Sequence, residues 1–213
     1  MDSLPRQWGR VRVGVFAALS AIIVGLLAAL AQPAAAAAPE KLAVCLACHG
    51  ANGQSQTPGV PSLGGQPSKY LVIQLYMFRE GIRPIAPMNT LMKGWSDEDL
   101  QKAADYLAGL PPPKPPADPG DPARLAKAKA VTEQAHCNVC HTANFAGQEN
   151  VPHLADQRED YLLKALREYK SGARKGYEPT MAEALQPVDA TQFPDLAYYL
   201  AHFGQDAAAH GAK

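Results

Sequence analysis

The chain has 213 residues, 47% of them hydrophobic but only 7% aromatic, and its 20 basic and 20 acidic residues give a formal net charge of zero. The length admits one domain or two. The neutral balance argues against a nucleic-acid or anionic-membrane partner, and the few aromatics leave two cores short of filling material.

Arg6, Arg10 and Arg12 open the chain with positive charge, Val13 to Ala31 is uncharged and apolar, and Gln32-Pro33 precedes the small-residue tract Ala34 to Ala38. This is the layout of a secretory signal over residues 1–38. The competing expectation is an uncleaved anchor, because the apolar run is just long enough to span a bilayer. Either way the remainder is exported to the periplasm. Removing residues 1–38 takes away three arginines and Asp2, leaving 17 basic and 19 acidic residues, a formal −2.

The rest divides into a first domain over 39–110, a proline-rich linker over 111–122 and a second domain over 123–213. Val60 to Arg83 aligns without a gap on Val151 to Arg174. Identities include Pro61/Pro152, Gln66/Gln157, Tyr70/Tyr161, Gly81/Gly172 and Arg83/Arg174. Two copies indicate a tandem pair, since a solenoid needs three or more. Leu71, Leu75 and Phe78 recur at helical spacing up to Gly81, and Leu162, Leu166 and Tyr169 do so up to Gly172. Ser96 and Asp99 have capping-box spacing before a helix with Leu100, Ala103, Ala104 and Leu107 on one face. Seven prolines between Leu110 and Pro122 make a semi-rigid spacer, and Asp121-Pro122 caps the helix that follows. Pro194 is tolerated only in a first turn, so the last helix is expected to begin near Thr191. No convincing strand is predicted, so the fold class is all-α. Each half, small and marginal on its own core, would be well served by a large apolar insert.

All four cysteines fall in two copies of one pattern, Cys45-Leu-Ala-Cys48-His49 and Cys137-Asn-Val-Cys140-His141. A four-cysteine zinc knuckle would bring its pairs within some 15–20 residues, whereas 88 residues separate Cys48 from Cys137. A dithiol redox motif would sit near a βαβ pattern, and a disulfide leaves the following histidine unexplained. Cys-x-x-Cys-His is the attachment signature of c-type haem. Two thiols two residues apart on a helical turn reach two vinyl groups on one porphyrin edge, and the next residue falls under the ring as an iron ligand.

A c-type electron carrier usually has a methionine on the other face of the iron. Beyond His141 only Met181 remains, 18 residues before Tyr199. Met88 stands 18 residues before Tyr106, whereas Met92 stands 14 before it. The repeat therefore selects Met88, with Met92 and Met77 as apolar packing. His136, His153, His202 and His210 are expected at the surface. His153 or His202 in place of Met181 is the alternative ligand set.

With these motifs the chain resembles the class I c-type cytochromes, specifically the dihaem cytochrome c4 family, over about residues 40–203. The resemblance implies two all-α haem domains related by a pseudo-twofold and two covalently bound haems c. It implies that the carbonyls of Pro61 and Pro152 accept Nδ1–H of His49 and His141. It also suggests Gln66, Gln157, Tyr70, Tyr161, Arg83 and Arg174 as partners of the haem propionates. The function implied is an electron carrier without substrate turnover of its own. It would dock transiently on a quinol-oxidising complex as donor and a terminal oxidase as acceptor. The alternatives are a cytochrome subunit of an exported dehydrogenase, or a haem enzyme such as a dihaem peroxidase.

Overall fold

The structure, a computed structural model, describes residues 40–174 and 179–205. The expected signal or anchor lies outside them, as does His210. The described residues fall within one compact unit. Among them no helix is long and apolar enough to cross a membrane.

Nine α-helices carry the fold of the described residues. The first half holds α1 (Ala43–His49), α2 (Ser68–Arg79), α3 (Met88–Met92) and α4 (Asp97–Ala108). The second holds α5 (Pro122–Gln134), α6 (Cys137–His141), α7 (Glu159–Ser171), α8 (Thr180–Ala184) and α9 (Phe193–Ala201). The described residues include no strand, only an isolated bridge between Gln148 and Val151. Local chemistry sets the ends. Ser96 and Asp99 close a complete capping box on α4, whose first turn is acidic. The Asp121 side chain accepts from the Ala123 and Arg124 amides, and Pro122 follows at the position where no amide is missed. Gly172 ends α7 with φ 73°, the left-handed cap that glycine adopts without a Cβ penalty. The last α-helix begins at Phe193, two residues later than expected. Asp189 holds a 3-10 turn over Ala190–Gln192 in front of it, so Pro194 still lies in the first turn.

Each half has its own core. In the first, α2 packs on α4 around Leu71, Leu75, Phe78, Met92, Leu100, Ala104 and Leu107. In the second, α9 packs on α7 and α5, around Leu162, Leu166, Phe193, Leu196, Ala197 and Leu200. His202 departs from the surface position expected of it. It is 4% exposed, its Nδ1–H donates to Tyr198 O at 2.9 Å, and its ring lies 4.1 Å from that of Tyr198.

The linker is seated on the protein. A Cβ on Gly64 would collide with Pro111 O, and one on Gly65 would come within 2.8 Å of the Pro112 Cβ. Gln54 Nε2 donates to Pro112 O at 3.3 Å, Gln205 Nε2 to Pro116 O at 2.8 Å, and the Asp121 amide to Tyr198 Oη at 2.8 Å.

The two halves also bond to each other through repeat-equivalent residues. Gln66 Nε2 donates to His153 O and Gln157 Nε2 to Ser62 O. Lys69 pairs with Glu149 at 3.1 Å, and Asp160, its counterpart, accepts from the Gly59 amide at 2.8 Å. The paired glutamine contacts run both ways between the halves, as a pseudo-twofold requires, while Arg158 Nη1 donates to Ser55 O at 3.3 Å without a counterpart, because Pro67 stands at the equivalent position.

Candidate haem sites

The two Cys-x-x-Cys-His motifs form the short helices α1 and α6, one in each half. The helical turn puts both thiols of a pair on one side and carries the histidine inward. His49 and His141 are buried, Cys45 is buried and Cys137 half-buried, and Cys48 and Cys140 are exposed. No disulfide joins any of the four cysteines. Burial pushes the Cys45 and Cys137 thiols up, opposite to what nucleophilic thiol chemistry requires.

The histidines are oriented identically. His49 Nδ1 lies 2.7 Å from Pro61 O and His141 Nδ1 lies 2.9 Å from Pro152 O. A carbonyl only accepts, so each ring donates Nδ1–H and turns a lone pair on Nε2 away from it. Burial lowers both imidazole pKa values, partly offset by the proline contact. Both effects together leave neutral, oriented imidazoles, the form that binds a metal.

Met88 opens α3 behind Pro87, and Met181 stands at the second position of α8 behind Pro179. Both are half-buried at the edge of their cores. Met92 is 0% exposed, inside the first core. The two methionines of α3 therefore occupy different environments.

Arg83 and Arg174 are buried. Arg174 donates to its own Tyr161 hydroxyl at 3.1 Å and to Tyr70 of the other half at 3.4 Å. Arg83 donates to Gln74 Oε1 at 2.7 Å and also bears on the Tyr161 hydroxyl. Burial alone would raise the Tyr161 phenol, but the two guanidiniums bring it down to about 8. Tyr70 shifts upward because burial prevails there. Among the described residues no carboxylate pairs with either arginine, and Arg83 Nε is buried without a partner. Both line a cavity of about 270 Å³ with Ile82, Ile85 and Glu168. Two buried cations and an orphaned donor suit an anionic group, so these residues fit a haem whose carboxylates enter there. Gln66 and Gln157 have a different engagement, since both amide heteroatoms bond to backbone of the opposite half.

Three residues that hold the methionine segments were not singled out from the sequence. The Asn89 side chain accepts from the Ile85 amide and donates to Phe78 O and Arg83 O. Arg79 donates to Trp95 O at 3.0 Å. Lys170, its repeat counterpart, donates to the carbonyls of Leu185, Gln186 and Val188 at 3.1, 2.6 and 3.0 Å. A cation at the same repeat position was the available signal, hidden because one is arginine and the other lysine.

Comparison with known proteins agrees with the duplication. The cytochrome c family model matches twice, over residues 36–111 and 125–203. Cytochrome c4 of Pseudomonas aeruginosa is 35% identical over 149 residues, covering 66% of this chain and 73% of that protein. A protein of Thiomonas intermedia named thiosulfate dehydrogenase electron acceptor is 34% identical, covering 68% and 72%. The crystal structure of reduced cytochrome c4 from Pseudomonas stutzeri superposes with a TM-score of 0.68 at 28% identity, covering 76% of this chain and 94% of that one. With two matched domains, two attachment motifs and this architecture, the chain belongs to the cytochrome c family, as a dihaem electron carrier of the cytochrome c4 type with two covalently bound haems c.

Proposed function

We propose that this cytochrome carries single electrons in the periplasm between respiratory complexes, from a quinol-oxidising complex to a terminal oxidase. Cys45 and Cys48 anchor one haem, and Cys137 and Cys140 the other. His49 and Met88 would hold the first iron, and His141 and Met181 the second. Arg83 and Arg174, with Tyr70 and Tyr161, receive the haem carboxylates. Residues 39–110 and 123–213 act as the two haem domains, residues 111–122 as their spacer, and residues 1–38 as the export segment.

The observation that carries this reading is the duplicated contact between an attachment-motif histidine and a proline carbonyl, at 2.7 and 2.9 Å. It leaves one oriented donor nitrogen per half. Bound haem supplies the Fe(III)/Fe(II) couple. The chain orients the histidine, offers a thioether from the α3 and α8 segments, and neutralises buried carboxylates. Held by a histidine and a methionine in each half, the haems would serve electron exchange rather than substrate binding. The chain's work is burial, potential tuning and transient docking.

Spectroelectrochemical titration of the purified holoprotein tests the ligand set. Two components, each with a methionine–iron charge-transfer band, are expected. Carbon monoxide binding to either reduced haem at neutral pH would overturn the carrier reading for that haem.

A second reading is favoured by the Thiomonas relative's name: an electron acceptor serving an exported dehydrogenase. Stopped-flow reduction by a purified quinol-oxidising complex and by a thiosulfate dehydrogenase separates the two. Faster reduction by the dehydrogenase would replace the first donor with the second.

A further inference from the structure

The hydrogen bond made by each histidine continues into the opposite half. Pro61 C=O and Ser62 N–H are the two ends of one peptide group. Its oxygen accepts from His49 Nδ1 at 2.7 Å, and its N–H donates to Gln157 Oε1 at 2.8 Å. Gln157 Nε2 then returns to Ser62 O at 2.9 Å, so the amide grips the residue at both backbone groups. The second half repeats the arrangement. The peptide joining Pro152 to His153 accepts from His141 Nδ1 at 2.9 Å and donates to Gln66 Oε1 at 3.0 Å. Gln66 Nε2 returns to His153 O at 2.8 Å. Gln66 and Gln157 are 4% and 2% exposed, so water competes little at either site.

A peptide group that donates at its nitrogen becomes a better acceptor at its oxygen, and linked hydrogen bonds strengthen one another by roughly 10–30% each. Acceptance by Gln157 Oε1 therefore makes Pro61 O draw harder on the His49 Nδ1 proton. A histidine whose Nδ1–H is drawn away is a more basic donor at Nε2, which favours the ferric state. We propose that Gln66 and Gln157 are positioning residues that act across the domain boundary. Gln157 sets the donor strength of His49, and Gln66 sets that of His141. The inference rests on the two histidines being the iron ligands. Simple interface adhesion makes a different prediction, because loosening the boundary would disturb both haems alike.

The test uses the holoprotein with its two potentials resolved and assigned to their domains. Gln157→Leu is expected to raise the potential of the first-half haem and leave the second, and Gln66→Leu to do the reverse. Gln157→Asn keeps an amide in the interface but withdraws it from Ser62, and should act in the same direction as Gln157→Leu. Lys69→Ala, which removes an exposed cross-boundary ion pair, should move neither. NMR exchange gives a second readout: in Gln157→Asn the Ser62 amide is expected to quicken roughly five- to tenfold, as for loss of one hydrogen bond, and the His49 ring Nδ1–H to quicken by less, since it keeps Pro61 O as its acceptor. A shift confined to the same-half haem, equal shifts in both, or unchanged exchange and potentials would overturn the proposal. Failure of the ligand assignment is recognised separately, by a His49→Ala protein that retains a low-spin first haem.

Discussion

Arg174 of the second half reaches the Tyr70 hydroxyl of the first at 3.4 Å while holding its own Tyr161 at 3.1 Å. The guanidinium thereby lies at the boundary of both halves, and among the described residues no carboxylate pairs with it. A buried cation disfavours gain of positive charge nearby, so it opposes the ferric state of a neighbouring haem. Arg174→Gln is expected to lower the midpoint potentials in spectroelectrochemistry. The Tyr161 phenol, held at about 8 against burial by Arg174 and Arg83, should titrate at higher pH in that variant, seen by ultraviolet absorbance.

Met88 and Met92 share one turn of helix but answer differently to truncation. Met92→Ala opens a cavity in the first core and is expected to cost about 2–5 kcal/mol, with the methionine–iron band of both haems kept. Met88→Ala is expected to cost less stability and to abolish that band at the first haem. The reversed pattern would assign the ligand to Met92.

Lys170 closes the chain after Met181 onto α7 through three carbonyls. Lys170→Met keeps the aliphatic stem and removes the donors. Part of the loss is recovered by water, so a cost of about 1–3 kcal/mol is expected in denaturant unfolding. The functional consequence should be local. An added ligand such as imidazole should displace the thioether more readily at the second haem than at the first.

Acid stability depends in part on Asp99. Its carboxyl is held down to about 2, first by Lys41 Nζ at 2.6 Å and then by the Ser96 amide and hydroxyl. The folded value lies below that of a free aspartate, near 3.9. The stabilisation is therefore complete above about pH 4 and is lost as pH falls through about 2. Thermal unfolding of the native protein should lose more stability over that window than Asp99→Asn does. Because the pair is exposed, salt should shrink the difference.

The local architecture was legible wherever one residue decides it. The Ser96 box, the Asp121-Pro122 start and the Gly172 stop all lie where their chemistry requires. So was the duplication. The partner of each duplicated residue was not. Identity between halves has two physical causes, a shared cofactor or a contact across an axis that brings each residue against the other copy. Gln66 and Gln157 are conserved between the halves in a way that fits either cause, and only the fold shows their amides on the opposite backbone. Pattern matching also misses conformations kept without the residue that favours them. Gly65 has φ 67°, and its counterpart Asp156 takes φ 57°, its carboxylate accepting from the Gly204 amide at 2.7 Å. A polar residue after an apolar helix reads as solvated, but His202 is buried because Tyr198 supplies both an acceptor and a ring.

The seated linker changes what kind of association the two halves make. With Pro111 and Pro112 lying against Gly64 and Gly65, the tether starts from a fixed point and a fixed direction. The second half is thus presented to the first at a local concentration set by a surface, not by the statistics of a floppy chain. A boundary of polar contacts, among them two glutamines, two arginine–tyrosine contacts, the Asp160 bond to the Gly59 amide and an exposed ion pair, can then stay closed, although the same bonds would make a meagre interface between two separate proteins.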